Sequence, residues 1–181
     1  MNKKRKAKKY YQLSFDYNFS SKNDEIEFAY HIPYTFSRCV NFVKTIENKQ
    51  FVTREKLCDT ISGLEVPLLT ITDKSPLSEK KHVIVAARVH PGETVSSFIM
   101  EGFLKFIVSD EAADLRSKLV FKVIPMTNPD GVILGNYRCS LSGHDLNRTY
   151  LEPNKRLHPT TWAIKKMVED VTRGKSFNHL T

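Results

Sequence analysis

His90-Pro91-Gly92-Glu93 combines residue types and spacing that could hold a metal ion. Imidazole nitrogen and carboxylate oxygen are both common zinc ligands, and a His-x-x-Glu step can bring them to one ion. The apolar run His82-Val83-Ile84-Val85-Ala86-Ala87-Arg88-Val89 leads directly into it. That run is short, β-branched and bounded by turn residues, so it reads as a buried strand. Proline suits a first helical turn, so a helix is expected to begin at Pro91. The three-residue spacing then sets both side chains on one edge. A lone His-x-x-Glu step is common in proteins that bind no metal, so the case rests on residues further along.

Two more clusters follow a second apolar run, Leu119 to Met126. Asn128-Pro129-Asp130-Gly131 has proline and glycine where a type I turn takes them, and is expected to shape a loop rather than touch a ligand. Beyond it lie Arg138-Cys139-Ser140-Leu141 and Asp145-Leu146-Asn147-Arg148. In open α/β sheets, ligands bind outside the carboxyl ends of the strands. If the two apolar strands run parallel, His90, Glu93, Arg138, Asn147 and Arg148 all face one crevice. Arginine there can grip a carboxylate through paired hydrogen bonds or stabilise the oxyanion of an attacked carbonyl. Taken singly, Arg138 and Arg148 read as surface charges; beside a metal pair on the same edge they become candidates.

The elements that must position these residues are legible from periodicity. Tyr10 to Phe19 and Glu25 to Ile32 alternate aromatic and polar residues, the period of half-buried strands, across a polar turn. Such a hairpin cannot stand alone and must pack on something. Thr35 or Ser37 can cap a helix reaching about Lys49, with Val40, Phe42, Val43 and Ile46 inward. Phe51 to Cys58 and Val66 to Ile71 read as strands joined through Ser62-Gly63, and residues 72–81 as a loop. Thr94 to Val108 reads as a helix with Phe98, Ile99, Phe103, Leu104 and Ile107 apolar. Strand, helix, strand at this spacing predicts a right-handed crossover between parallel strands. Thr160 to Val171 reads as a last helix. The fold class is therefore α/β.

Composition narrows the function classes. A chain of 181 residues makes one domain, or one and part of another. No apolar run spans a bilayer, and the charged N-terminus lacks the apolar stretch of a secretory signal, so a cytoplasmic protein with no membrane partner is expected. Cys39, Cys58 and Cys139 are odd in number and far apart, which suits reduced thiols. Of the net charge of +8, six units sit on Lys3, Lys4, Arg5, Lys6, Lys8 and Lys9. The basicity thus belongs to a tail over residues 1–9, read as solvated, with nucleic acid, an acidic protein surface or an importin as its less favoured partners.

His90-Pro91-Gly92-Glu93-Thr94, Asn128-Pro129-Asp130-Gly131, Arg138-Cys139-Ser140-Leu141 and Asp145-Leu146-Asn147-Arg148, in this order, resemble the zinc carboxypeptidase family, and its cytosolic carboxypeptidase subfamily in particular. Phe28-Ala29-Tyr30-His31-Ile32-Pro33-Tyr34-Thr35-Phe36 resembles the junction in that subfamily between an N-terminal β-sandwich and the catalytic domain. The resemblance implies a partial mixed-sheet carboxypeptidase fold preceded by a β-rich segment. Residues 10–33 would end the sandwich, and residues 34–181 would form the N-terminal half of the catalytic domain. It implies one zinc ion per site, held in part by His90 and Glu93. Arg138 would polarise the scissile carbonyl, and Asn147 and Arg148 would bind the free C-terminal carboxylate. The implied substrates are proteins or peptides with a free C-terminus, including glutamates of tubulin and other acidic tails. Lys155 and Arg156 read as a solvated loop that could add positive charge.

The family's third zinc ligand, a later histidine, and its general acid/base glutamate have no counterpart in context. His144, His158 and His179 each lack it. The expectation is a carboxypeptidase chain that stops within its catalytic domain. Two alternatives stand beside it: a catalytically dead module that binds acidic C-terminal tails, and a related zinc amidohydrolase.

Overall fold

A computed structural model of the chain describes residues 11–73 and 80–173. The basic tail at 1–9, part of the 72–81 loop and His179 lie outside the described residues. The chain divides into two compact units, Met1–Tyr30 and His31–Thr181.

In the second unit the element order is α1 (Phe36–Ile46), β1 (Val52–Asp59), β2 (Glu65–Ile71), β3 (Lys81–Ala86), α2 (Val95–Ile107), α3 (Ala113–Lys118), β4 (Leu119–Ile124), α4 (Pro129–Ile133) and α5 (Pro159–Thr172). The four strands form one mixed sheet in the order β1-β2-β4-β3. β1 and β2 are an antiparallel hairpin, β2 and β4 are antiparallel, and β3 and β4 are parallel. The expected parallel pair is therefore present, with α2 and α3 in its crossover. Pro67 cannot donate to a ladder, and it sits opposite Lys56, where the β1–β2 register shifts.

Alternation along the strands divides the core between the sheet's two faces. Leu69, Ile71, Phe121 and Val123 pack with Val43 and Ile46 of α1 and Met100, Leu104 and Ile107 of α2. Leu57, Val66, Leu68 and Ile124 pack with Ala163, Ile164 and Met167 of α5. This is the three-layer solution for a sheet that is apolar on both faces.

Thr35 caps α1, accepting from the Arg38 N–H at 3.1 Å, as one of the two expected caps. Three details differ from expectation. β3 stops at Ala86 and is half-buried rather than buried, because it pairs on one side only among the described residues. α2 starts at Val95, not Pro91, and its buried face is Ser97, Met100, Leu104 and Ile107, leaving Ile99 66% exposed. Residues 11–30 contain no strand. Their two arms meet through aromatic rings, Phe15 on Phe28 at 5.2 Å and Tyr17 on Phe28 at 5.8 Å, and not through ladder hydrogen bonds. Alternation supplied the faces, but a strand also needs a backbone partner.

Candidate active site

β3 and β4 run side by side, and the chain leaves both at the same end. Their pairing is prolonged past the strands: Thr127 N donates to the Ala87 carbonyl at 2.9 Å, and Asn128 N to the Arg88 carbonyl at 3.2 Å. This holds the segment before His90 against the Asn128-Pro129-Asp130-Gly131 segment. Asn128 caps α4, its side chain accepting from Gly131 N at 3.0 Å, with Pro129 in the first turn. The tetrapeptide is thus the cap and first turn of a short helix, where a type I turn within a loop was expected. Its Asp130 is buried and accepts from Thr60 Oγ1 at 2.7 Å, tying α4 to the β1–β2 turn.

Two glycines let the loops interlock. A Cβ on Gly131 would collide with the Pro91 ring and the Cys139 carbonyl. A Cβ on Gly92 would collide with the Tyr137 ring and carbonyl. Gly92 N instead donates to that carbonyl at 2.8 Å. The 90–93 turn is therefore clasped between α4 and the 135–139 loop.

On this framework the imidazole of His90 lies between two carboxylates. Its Nδ1 is 3.0 Å from Glu93 Oε1, and its Nε2 is 2.9 Å from Asp145 Oδ1. His90 is 7% exposed, so these contacts are shielded on the histidine side. A carboxylate accepts only, so each ring nitrogen must turn either a proton or a metal ion toward the oxygen it faces. A metal ion held between Nδ1 and Glu93 would satisfy one side, with the proton on Nε2 satisfying Asp145 on the other. Zinc takes nitrogen and oxygen donors at about 2.0–2.2 Å, so two donors of one tetrahedral ion stand about 3.4 Å apart. The 3.0 Å gap needs to open only slightly, and the exposed Glu93 side chain has room to give. The donor set therefore fits zinc, with Asp145 as the outer carboxylate that fixes ring and tautomer. Among the described residues no group of three His, Cys, Asp or Glu side chains is placed to hold one ion.

Asp145 ties the rest of the cluster together. It accepts from Arg138 Nε at 2.7 Å and from the backbone N–H of Asn147 at 2.9 Å. Partial burial pushes its carboxyl up, but the hydrogen bonds from His90, Arg138 and Asn147 outweigh this and hold it below the usual carboxylate range. Arg138 binds Asp145 through Nε, which leaves its terminal nitrogens for another acceptor. Asn147 and Arg148 are exposed on a short 3-10 turn, Leu146–Arg148, whose buried Leu146 anchors it. Of the five residues singled out in the sequence, His90, Glu93 and Arg138 are linked through two carboxylates, and Asn147 joins by its backbone. Arg148 shares the turn, its side chain donating to the Asn147 carbonyl at 3.2 Å. Lys155 lies over the Trp162 ring at 4.9 Å. His144 and His158 pair edge to face with ring centres 4.8 Å apart.

Two residues had no assigned role in the sequence. Asp145 is the only acid between Gly135 and Arg148, which is a usable signal. Arg88 is a charged residue at the end of an apolar run, and is 4% exposed.

A mixed sheet that presents a His–Glu pair with a carboxylate behind it, beside arginines, defines a candidate metallopeptidase centre. Residues 40–178 match the zinc carboxypeptidase family, and the chain belongs to that family. It is 41% identical over 180 residues to mouse cytosolic carboxypeptidase 1, a match covering 91% of this chain and 15% of the relative. It is 44% identical over 168 residues to mouse cytosolic carboxypeptidase 6, covering 89% of this chain and 31% of the relative. The chain thus spans less than a third of the length of either. Among solved structures, a metallo-carboxypeptidase from Burkholderia cenocepacia superposes with a TM-score of 0.71 at 28% identity, covering 77% of this chain and 39% of that one. No helix among the described residues is long and apolar enough to cross a membrane.

Proposed function

We propose that the protein is a zinc-dependent metallocarboxypeptidase that removes C-terminal residues from protein or peptide tails. The observation that carries this reading is His90 held between Glu93 and Asp145, with Arg138 on the same Asp145. His90 and Glu93 would hold the zinc. Zinc in such a site supplies Lewis acidity toward a carbonyl and a water of lowered pKa. Asp145 keeps the His90 proton on Nε2, so that Nδ1 stays free to bind. Arg138 offers its terminal nitrogens to the scissile carbonyl oxygen, a contact that strengthens as negative charge develops there. Asn147 and Arg148 take the substrate's terminal carboxylate, which makes the cleavage exopeptidic. We read the substrates as acidic tails, including the glutamates of tubulin, and the location as cytoplasmic. Kinship with the cytosolic carboxypeptidases supports the location and the cleavage of C-terminal residues. We place the start of the catalytic domain near residue 34; the family match over residues 40–178 and the division after Tyr30 support this.

The test is release of the last residue from a peptide ending in a free glutamate, against the same peptide ending in an amide. Release from the acid alone, stopped by a zinc chelator, is the expected result. Cleavage of an N-acyl amino acid but of neither peptide would replace this reading with an amidohydrolase. Peptide binding without cleavage, surviving chelation and lost in Arg148→Ala, would replace it with a tail-binding module. Arg138→Ala should lower kcat more than it raises KM, because an oxyanion contact acts in the transition state.

A further inference from the structure

Arg88 is a buried cation with no ion-pair partner among the described residues; the oxygens it contacts are neutral. Its Nε donates to the Pro91 carbonyl at 2.8 Å, and its Nη1 donates to the Tyr34 carbonyl at 3.0 Å and to Ser97 Oγ at 2.9 Å. It also has a positive φ of 53°, the one non-glycine residue so placed among those described. A left-handed conformation in an ordinary residue costs about 1–2 kcal/mol, so the surroundings must enforce it. The backbone of Arg88 is enlisted as well. Its N–H donates to Ser96 Oγ at 3.2 Å, and that hydroxyl donates onward to the Glu93 carbonyl at 2.8 Å.

The peptide plane between Pro91 and Gly92 lies midway between His90 and Glu93. Its carbonyl is fixed by the Arg88 guanidinium, and its N–H is fixed by the Tyr137 carbonyl at 2.8 Å. A plane pinned at both ends cannot rotate, and that rotation is the softest way for the two side chains to lose their common aim. The left-handed turn at Arg88 is what folds its side chain back over the turn three residues ahead.

We propose that Arg88 is a positioning residue for the metal pair: it clamps the peptide between His90 and Glu93 so that their donors converge before metal arrives. The inference rests on the metal reading given above. It predicts that Arg88 sets zinc affinity, although it touches neither the ion nor its ligands' side chains.

The experiment measures zinc affinity by chelator competition for the protein carrying Arg88→Gly, Arg88→Lys or His90→Ala, beside wild type. Glycine accepts the left-handed backbone without strain, so Arg88→Gly removes the clamp while sparing the turn. The expected result is a zinc Kd raised about 10–100-fold, the usual effect of removing an outer partner of a metal site. Added guanidinium should partly restore it, whereas a general loss of packing would not respond. Arg88→Lys keeps the charge but not the fork of donors, and should fall between the two. If Arg88→Gly does not fold, Arg88→Lys carries the test alone. A folded Arg88 variant with wild-type zinc affinity overturns the proposal, provided His90→Ala has lost zinc. If His90→Ala retains zinc, the metal reading itself fails.

Discussion

Replacing Asp145 separates the two tasks assigned to it. One oxygen accepts from His90 Nε2 at 2.9 Å and from Asn147 N at 2.9 Å, and the other accepts from Arg138 Nε at 2.7 Å. In Asp145→Asn the amide has one acceptor and one donor face. With its oxygen toward His90 it keeps two of these bonds and sets an N–H against Arg138. Flipped, it keeps one and loses two. The first orientation wins by about 1 kcal/mol, the net value of one hydrogen bond. His90 therefore keeps its tautomer, and Arg138 is released. Zinc affinity should fall only about tenfold, the low end for outer-shell changes, or about 1.4 kcal/mol. Asp145→Ala removes every acceptor and should reach the upper end, about 100-fold or about 2.7 kcal/mol. Chelator competition gives both affinities, with thermal unfolding of the zinc-free protein as the control for folding. The reasoning is refuted if Asp145→Ala binds zinc as tightly as wild type, or if Asp145→Asn binds more weakly than Asp145→Ala.

Other changes probe the scaffold. Gly131→Ala should lower stability by about 1–3 kcal/mol through overpacking against Pro91 and the Cys139 carbonyl; an unmoved denaturant midpoint would mean the loops separate freely. Met167→Ala, at a fully buried position under the sheet, should cost about 2–5 kcal/mol in the same assay, and a loss below that range would mean α5 is not a principal cover of that face. Burial, helped by neighbouring His144, holds His158 below its ordinary pKa of 6.5. The unfolded chain then takes up a proton before the folded one does. Stability is full above that value and falls as pH drops from there toward the folded pKa. His158→Gln should flatten this acid slope in thermal melts. It should not abolish it, because burial holds His82 low as well. A slope identical to wild type would show that His158 does not carry it.

How much of this was legible in the sequence follows from the range of each signal. The α1 cap at Thr35, the β1–β2 hairpin and the parallel β3–β4 pair are written in local periodicity and turn residues, and all are present. The residues that converge were legible too, because the carboxyl ends of two parallel strands must meet. Their wiring was not. Asp145 reaches His90 across 55 positions, and no periodicity reports such a contact. Arg88 was hidden by its neighbours: an arginine ending an apolar run looks like a strand's last exposed residue until its φ is known. The N-terminal segment failed in the opposite sense. Its alternation is strand-like from Tyr11 to Phe19, yet the described residues offer it no backbone partner, and its rings stand 45–96% exposed. Alternation specifies which side chains share a face; it does not specify what that face meets.

The most direct test of the central claim is the zinc content of purified wild-type protein and of His90→Ala, measured by mass spectrometry under native conditions. The account predicts zinc in the wild type and none in His90→Ala, with both chains folded. Equal zinc in the two, or zinc that leaves in Cys139→Ala and stays in His90→Ala, would contradict it.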